Sequence, residues 1–279
     1  MNRHLHSCRK HPDMRVATWN INSLRLRLDH LRRLAQQEGP DVICLQEIKV
    51  EDGLFPLSDL HAMGYPHVRF HGMKGYNGVA ILSKLPFKML DPLDWCAKGD
   101  CRHARVVLGG DVELHNFYVP AGGDIPDPKA NVKFAHKLQF LDEMQQYFAG
   151  GAKAGNSTKG KAIMVGDLNI APLEDDVWSH KQLLSVVSHT PIEVAKLNAI
   201  QAAGKWVDAV RQVTPAPTKL FSWWSYRSPD WTKNDRGRRL DHVWVTPALS
   251  KRVRHANILK DMRGWTQPSD HVAVIVDLD

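Results

Sequence analysis

Acidic, amide and imidazole side chains recur in this sequence where apolar, strand-like segments meet more polar segments. At such positions a rigid sheet can present side chains to a shared cleft. The pattern predicts that these residues come together although they are far apart along the chain. They are Asn20, Asn22, Glu47, Tyr118, Asp167, Asn169, Asp241, His242, Asp270 and His271.

The residue types in this set suit the hydrolysis of a phosphodiester. Carboxylates such as those of Glu47 and Asp270 are hard oxygen ligands, which Mg²⁺ combines with water and substrate phosphate. An Asp within reach of a water molecule acts as a general base or orients the nucleophile. An Asn amide holds a phosphoryl oxygen without adding negative charge. A His beside an Asp donates to a phosphoryl oxygen on which charge develops.

Each of these residues, taken singly, also fits a structural role. An Asp or Asn at the end of a strand is usually a turn former or a helix cap. The pair Asp270-His271 fits an ordinary surface pair, and Tyr118, just before Pro120, fits a loop anchor with its hydroxyl in water. The catalytic interpretation therefore depends on the whole set.

Short apolar, β-branched segments predict the strands that carry these residues. Two sheets packed together, with helices outside, fit the number of strands and predict a layered α/β or α+β domain. The predicted strands are Arg15–Asn20, Asp41–Gln46, Gly78–Leu82, Arg105–Leu108, Val112–Val119, Ala162–Val165, Asp241–Val245 and His271–Val276.

Helical periodicity separates these strands. The predicted helices are Leu24–Gln37, Pro128–Ala149 and Glu193–Gly204, each with apolar residues recurring at helical spacing. The Gly-rich segment Gly150–Lys161 and the Pro-rich segment Gln212–Thr218 are predicted to be loops.

The length of 279 residues and the apolar content of 43% are typical of a soluble globular protein. We predict one domain over residues 14–279, because no internal linker or strong repeat divides the chain. Residues 1–13 (MNRHLHSCRKHPD) lack periodicity and are predicted to be a flexible tail. Because neither a membrane span nor a signal peptide is visible, we expect a cytoplasmic protein that contacts no membrane. We also expect the protein to be a monomer.

The net charge of +7 favours a polyanionic partner, although many basic proteins bind no nucleic acid. The loop His71–Gly78 (HGMKGYNG) places Lys74 among three glycines, which would let backbone amides approach a phosphate. A flexible turn explains this loop equally well. Lys98, Arg102 and Arg105 surround a polar loop and fit either DNA-backbone contacts or a solvated charge run.

Taken together, the motifs resemble the exonuclease III type of AP endonuclease, within the endonuclease/exonuclease/phosphatase superfamily. The resemblance covers nearly everything from Met14 to Asp279, and the joint match is highly specific, although GDLN or SDH alone would be weak. The motifs stand in order as TWNINSLR, PDVICLQEIKV, GYNGVAILSK, FYVPAGG, MVGDLNIAP, FSWWSYR, RRLDHVWV and PSDHVAV.

The resemblance implies a four-layered αββα sandwich in which two facing mixed β-sheets are flanked by helices. It also implies a Mg²⁺-dependent nuclease, with Mn²⁺ as a substitute, that cuts double-stranded DNA at abasic sites. Exonuclease activity in the 3′ to 5′ direction and the trimming of blocked 3′ ends, including 3′-phosphates, are implied as well.

The resemblance further implies roles at a metal site. Glu47 resembles the principal Mg²⁺ ligand, Asp270 a carboxylate on the metal side, and Asn20 the amide that helps to organise the metal and the base. Asn22 stands where some relatives carry Asp, which is a departure from the pattern.

Catalytic roles are implied in the same way, residue by residue. Tyr118 resembles the tyrosine that contacts the phosphate, and Asn169 the amide that holds it. Asp167 resembles the residue that positions or deprotonates the attacking water, and both Asp167 and Asn169 are expected to border the metal. Asp241 resembles the carboxylate that orients the imidazole of His271, which faces the scissile phosphate.

The family also has an apolar pocket for a flipped-out, base-free sugar. Trp223 and Leu240 match two of its walls, whereas the third wall falls at Arg238, where relatives often have an apolar or aromatic residue. This departure predicts that Arg238 tunes the choice of substrate. Packing in the core is an alternative for Trp223 and Trp224, since paired aromatic residues in a strand are more often packing residues.

Two other functions compete with this interpretation. A phosphoesterase acting on a small molecule or a lipid headgroup would use the same fold and metal, but the basic charge and the complete motif order argue against it. A non-catalytic DNA-binding module on a decayed scaffold is opposed by the intact set Glu47, Asp167, Asn169, Asp241, Asp270 and His271.

Deleting residues 1–13 is expected to leave the melting temperature and the rate of DNA cleavage close to those of the full chain, because this segment lacks hydrophobic periodicity. Thermal denaturation and a cleavage assay on both proteins would check this. A large loss in either measurement would show that the segment packs against the domain.

Overall fold

The computed structural model describes residues 14–150, 160–227 and 230–279. The predicted tail, residues 1–13, therefore lies outside the described residues, as does most of the predicted loop Gly150–Lys161. Within the described part of the chain, none of the helices has the length and apolar composition needed to cross a membrane.

The first sheet has six strands in the order β13-β14-β1-β2-β4-β3. Its centre is the parallel pair β1 and β2, whose side chains are buried on both faces. The strands are β1 (Met14–Asn20), β2 (Val42–Gln46), β3 (His67–His71), β4 (Val79–Ser83), β13 (Val253–Ile258) and β14 (Val274–Leu278).

The second sheet also has six strands, in the order β5-β6-β7-β8-β12-β9, with β7 and β8 parallel. A separate two-stranded ribbon, β10 with β11, lies between β9 and β12 in the sequence. The strands are β5 (Phe87–Met89), β6 (His103–Leu108), β7 (Val112–Tyr118), β8 (Lys161–Asp167), β9 (Val207–Asp208), β10 (Trp223–Trp224), β11 (Gly237–Arg238) and β12 (Asp241–Val245).

Three hydrophobic clusters show how the layers are stacked. One lies between the sheets and joins residues such as Val16 and Cys44 of the first to Leu114 and Val165 of the second. Another covers the outer face of the first sheet, and a third covers the outer face of the second. The result is the predicted αββα sandwich of two mixed sheets between helices.

Two longer helices, α3 and α5, cover the second sheet, and α1 covers the first. The helices are α1 (Leu28–Glu38), α2 (Leu57–Ala62), α3 (Val132–Phe148), α4 (His180–Leu183), α5 (Pro191–Ala203), α6 (Ala209–Val213), α7 (Trp231–Asn234) and α8 (Pro247–Ser250).

Several predicted boundaries were wrong for reasons that the contacts explain. The first helix begins at Leu28 rather than Leu24, because the backbone of Arg27 is not helical, with φ at −118° and ψ at 27°. The second begins after Asn131, whose side chain accepts from Lys133 N and caps it.

Two further predictions need correction at their ends. The last strand is Val274–Leu278 rather than His271–Val276, because His271 forms an isolated bridge with Trp223 instead of joining the sheet. The predicted Pro-rich loop starting at Gln212 overlaps the end of helix α6, Ala209–Val213, which the carboxylate of Asp208 caps.

A buried ionic cluster fastens the chain next to the start of β12. Asp176, which is fully buried, accepts from Nε and Nη2 of Arg239 at 2.7 and 2.9 Å and also bonds to Arg211. Arg239 reaches Asp208 at 2.8 Å as well. Burial raises the pKa of Asp176, but the attraction and hydrogen bonds of the two guanidinium groups outweigh it and lower that pKa.

The substitution Asp176→Asn is expected to lower the free energy of unfolding by about 3–5 kcal/mol at neutral pH, because it leaves buried guanidinium charge without its partner. Since the pKa of Asp176 is lowered by folding, its stabilisation is present above the unfolded pKa of about 4 and is lost as pH falls through the folded pKa. The difference in the free energy of unfolding between variant and wild type should therefore become smaller at acidic pH.

Denaturant unfolding across a pH series would measure this gap. Asp175→Asn is a matched control, because the neighbouring carboxylate makes none of the ion pairs found among the described residues. An equal loss of unfolding free energy in both variants would contradict a stabilising role of the ionic cluster.

Candidate functional site

The ends of five strands meet at one edge of the gap between the two sheets. Asn20 is the last residue of β1, and Glu47 directly follows β2. In the second sheet, Asp167 at the end of β8 pairs with both Tyr118 of β7 and Asp241 of β12. Five residues from distant parts of the sequence are thereby held at one edge by strand register.

A polar bridge between the sheets lies directly beneath this edge. Gln46 Nε2 donates to Asn116 Oδ1 at 2.7 Å, and Asn116 Nδ2 donates to the carbonyl oxygens of Leu45 and Ala80 at 2.9 Å. Both amides are fully buried. Because a buried amide is costly to leave unpaired, this bridge fixes one sheet relative to the other beside Glu47 and Tyr118.

The backbone leaves the strands sharply at this edge. Asn22, Glu47 and Asn169 all have positive φ, at 46°, 50° and 54°. Such conformations cost free energy in non-glycine residues and concentrate at functional sites. Gly166, one residue before Asp167, has φ 143°, and a Cβ there would lie 1.9 Å from Phe117 O. Only glycine fits between β7 and β8 at this point.

Asp167 is the centre of the site. Its Oδ2 accepts from Asn20 Nδ2 at 2.9 Å and from Asn169 Nδ2 at 3.1 Å, and its Oδ1 accepts from Asn169 N at 2.9 Å. Burial raises its pKa, His271 opposes the rise, and Asp241 adds to it, with a raised pKa as the result. A carboxylate of this kind is a better proton acceptor than an exposed Asp.

His271 lies between two carboxylates. Its Nδ1 is 2.8 Å from Asp241 Oδ2, and its Nε2 is 3.6 Å from Asp167 Oδ2. Ser222 Oγ donates to the same oxygen of Asp241 at 2.6 Å. Burial lowers the pKa of His271, but Asp241 and then Asp167 outweigh burial and raise it. The imidazole is therefore held as a cation that donates towards Asp241.

Glu47 lies among three donors on the other side of Asn20. Its Oε1 accepts from Asn20 Nδ2 at 2.9 Å and from the Tyr118 hydroxyl at 2.8 Å, while Oε2 is 2.7 Å from Lys49 Nζ. Burial raises the pKa of Glu47, but Lys49 and these hydrogen bonds outweigh it and lower that pKa. Burial and the nearby carboxylates raise the pKa of Tyr118, which stays a neutral phenol.

Asp270 lies on the other side of the site from Glu47. Its Oδ1 accepts from Asn22 Nδ2 and its Oδ2 from Trp223 Nε1, both at 3.0 Å. Glu47 and Asp270 face one cavity, and their oxygens have the chemistry that a hard divalent cation requires. Asp167, Asp241 and His271 also cluster within ligand distance, but the Asp241–His271 hydrogen bond occupies Nδ1 of that imidazole.

The cavity has a volume of about 810 Å³ and extends from these residues to Trp223, Arg238 and Leu240. The guanidinium of Arg238 lies 5.1 Å from the centre of the Trp223 ring. Its Nη1 donates to Val187 O at 3.0 Å and to Ser188 Oγ at 2.8 Å. Trp223, Arg238 and Leu240, which were predicted to form the walls of a substrate pocket, thus border one space.

Not every predicted contact lies at the cavity. Lys74 is exposed on the loop that follows β3 and is not among the residues that line this space. Of the tryptophan pair, Trp224 is a core residue, with its ring buried on the first sheet and Nε1 bonded to Asp235. Trp223 is half-buried and faces Asp270 and Arg238.

Some residues of the site were missed by sequence reasoning. Lys49 bridges Glu47 and Asn22, and its place two residues after Glu47 in QEIKV was a usable signal. Ser222, in the motif FSWWSYR, anchors Asp241. The third, Lys137, is a fully buried cation within helix α3 and had no local signal.

Lys137 matters because it joins three segments of the chain: two loops and the first turn of helix α5. Its Nζ donates to Asn169 O at 2.8 Å and to Ala121 O at 3.3 Å, and it pairs with Glu193. Glu193 in turn accepts from Ser188 N at 2.9 and 3.0 Å. One buried ion pair therefore fixes the Asn169 turn and the loop on which Arg238 rests.

The sequence is similar to known proteins over most of its length. The sequence profile described as the Endonuclease/Exonuclease/phosphatase family matches residues 17–271. Exodeoxyribonuclease III of Haemophilus influenzae is 32% identical over 277 residues, which cover 94% of this chain and 98% of that protein.

Solved structures agree over nearly the whole length. An AP endonuclease from Archaeoglobus fulgidus superposes with a TM-score of 0.87 at 31% identity, covering 95% of this chain and 99% of the other. The 3′ phosphatase NExo from Neisseria, bound to a product DNA hairpin, gives 0.84 at 29% identity, covering 95% and 99%.

Proposed function

The chain belongs to the endonuclease/exonuclease/phosphatase family, and we propose that it is a DNA repair nuclease that hydrolyses phosphodiester bonds of double-stranded DNA. Its substrates are abasic sites and 3′ ends, including blocked ends. The observation that carries the proposal is the buried pair Asp167 and His271, backed by Asp241. His271 lines the same cavity as Glu47 and Asp270. The names of the relatives above support the choice of DNA as substrate.

We propose that Mg²⁺, with Mn²⁺ as a substitute, is held by Glu47 and Asp270, beside the side-chain oxygens of Asn20, Asp167 and Asn169. The lowered pKa of Glu47 keeps this ligand ionised at neutral pH, which supports the assignment. Such a cation supplies positive charge that stabilises the developing negative charge of phosphoryl transfer.

In this proposal, side chains of the protein accept the proton of the attacking water and bind the phosphate. Asp167, with its raised pKa, accepts a proton from the attacking water, while Asn20 and Asn169 hold the carboxylate in place. The cationic imidazole of His271 donates to a phosphoryl oxygen as charge grows there, and Asp241 keeps it charged and oriented. The neutral phenol of Tyr118 contacts the phosphate beside Glu47.

The net charge of +7 supports a DNA partner, and we propose that the protein acts as a monomer in the cytoplasm. The test is a cleavage assay on a duplex with one abasic site, with and without Mg²⁺, beside an assay on inositol phosphates. Metal-dependent incision of the duplex is expected. Turnover of the inositol phosphates without DNA cleavage would overturn the proposal in favour of a small-molecule phosphoesterase.

The substitution Glu47→Gln is expected to raise the Mg²⁺ concentration at half-maximal activity, because the amide keeps the shape of the ligand but removes its charge. A metal titration of the cleavage rate would measure this. Glu51→Gln is the matched control, since that carboxylate lies outside the cavity. An unchanged half-saturating concentration would remove Glu47 from the metal site.

The substitutions Asp167→Asn and His271→Ala are each expected to slow cleavage by ~10²–10⁴-fold while DNA still binds, because both groups act on charge that develops in the transition state. Asp167→Asn should bind DNA equally or more tightly, since it removes negative charge facing the phosphates.

Single-turnover rates and binding titrations at one fixed salt concentration would measure both effects, because salt alone shifts DNA affinity strongly. Asp124→Asn is the matched control, because it removes the same charge from an exposed residue that lines the cavity. It should slow cleavage much less than Asp167→Asn does. Near-normal cleavage by Asp167→Asn would exclude its catalytic role, and joint loss of binding and cleavage would indicate a structural one.

A further inference from the structure

Arg238 carries a positive charge that the protein itself does not neutralise. Its hydrogen bonds go to two neutral oxygens, Val187 O and Ser188 Oγ, and its Nε is buried with no partner. Among residues 14–150, 160–227 and 230–279 it makes no ion pair, whereas the adjacent Arg239 pairs with Asp176 and Asp208.

The nearest buried carboxylate does not serve as a counterion. Glu193 attracts the charge of Arg238, but its oxygens are already taken by Lys137, Ser188 and Thr190. Burial lowers the pKa of Arg238. A guanidinium nevertheless keeps its proton in proteins, so the cavity retains a fixed cation.

The guanidinium of Arg238 lies in the cavity where the proposed reaction takes place. Arg238 lines the same cavity as Asn169 and His271, across from Trp223. Its side chain spans the space between the Trp223 ring and the Ser188 loop, and its anchoring on both sides keeps it there. This part of the cavity is thus lined by a fixed positive charge.

We propose that Arg238 makes a terminal 3′-phosphate the preferred substrate of this site, in preference to an internal abasic nucleotide; the proposal rests on the proposed nuclease function. An internal phosphodiester places an uncharged sugar in the cavity, and this sugar offers no charged partner to Arg238. A terminal phosphomonoester has an anionic oxygen in place of that sugar ester. This oxygen forms a charge-assisted hydrogen bond with the guanidinium.

The reaction balances as a simple hydrolysis. The water oxygen bonds to phosphorus as the bond between phosphorus and the 3′ oxygen breaks, and one proton of the water passes to Asp167. The 3′ oxygen leaves with a proton from solvent. The products are inorganic phosphate and a 3′-hydroxyl end, and Arg238 transfers no proton.

The test compares two duplexes of the same sequence, one with a nick ending in 3′-phosphate and one with a single internal tetrahydrofuran abasic analogue. The value of kcat/KM is measured on both for the wild type, Arg238→Leu and Arg238→Lys. We expect Arg238→Leu to lower the ratio of phosphate removal to abasic incision by about 10–100-fold, the range of one hydrogen bond to a charged group. Arg238→Lys should restore part of the ratio because it restores the charge.

Arg236→Leu is the matched control, since Arg236 is an exposed cation at the rim of the same cavity and should leave the ratio unchanged. A second measurement is inhibition of abasic incision by inorganic phosphate, which should weaken in Arg238→Leu. Melting temperatures establish that the variants fold.

A ratio that Arg238→Leu leaves unchanged would overturn the inference, as would an equal fall of the ratio in Arg236→Leu. Failure of the proposed function itself looks different, because the wild type would then cleave neither duplex.

Discussion

The site depends on one constraint: three ionisable groups, Asp167, Asp241 and His271, are buried together and must balance one another. Two carboxylates close together in a dry setting are unfavourable, and the imidazolium between them offsets their repulsion. The balance fails if either sheet shifts, because Asp167 and Asp241 belong to the second sheet while Asn20, which donates to Asp167, belongs to the first. The Gln46–Asn116 bridge and the tight pairing at Gly166 keep the groups at these distances.

Three cations near the cavity differ in their partners. Arg239 and Lys137 are neutralised by carboxylates and fasten the loops that surround the cavity. Arg238, beside Arg239 in the sequence, meets only neutral acceptors. Arg238 is the last residue of β11 and borders the cavity, whereas Arg239 lies between β11 and β12 and reaches the ionic cluster.

Sequence reasoning predicted the sandwich and the gathering of Asn20, Glu47, Asp167, Asp241 and His271 at one edge. It succeeded because apolar strands and the polar residues at their ends are local features, and because the motif order is specific. Ser222, Lys137 and Glu193 were not predicted, because their importance comes from partners in other elements of the fold. The start of α1 was misplaced because the apolar spacing continues through Arg27, whose backbone is not helical.

The order of strands in the first sheet has a consequence for how the protein is made. β1, from the beginning of the domain, lies between β2 and β14, so the sheet is incomplete until Val274–Leu278 leaves the ribosome. Asp270 and His271 are translated just before that strand. A nascent chain that has been made only to between residues 167 and 270 thus contains Glu47 and Asp167 but lacks the imidazole of His271 and the strand that pairs with β1. The two halves of the candidate site therefore come together only at the end of synthesis, together with the closure of the sheet.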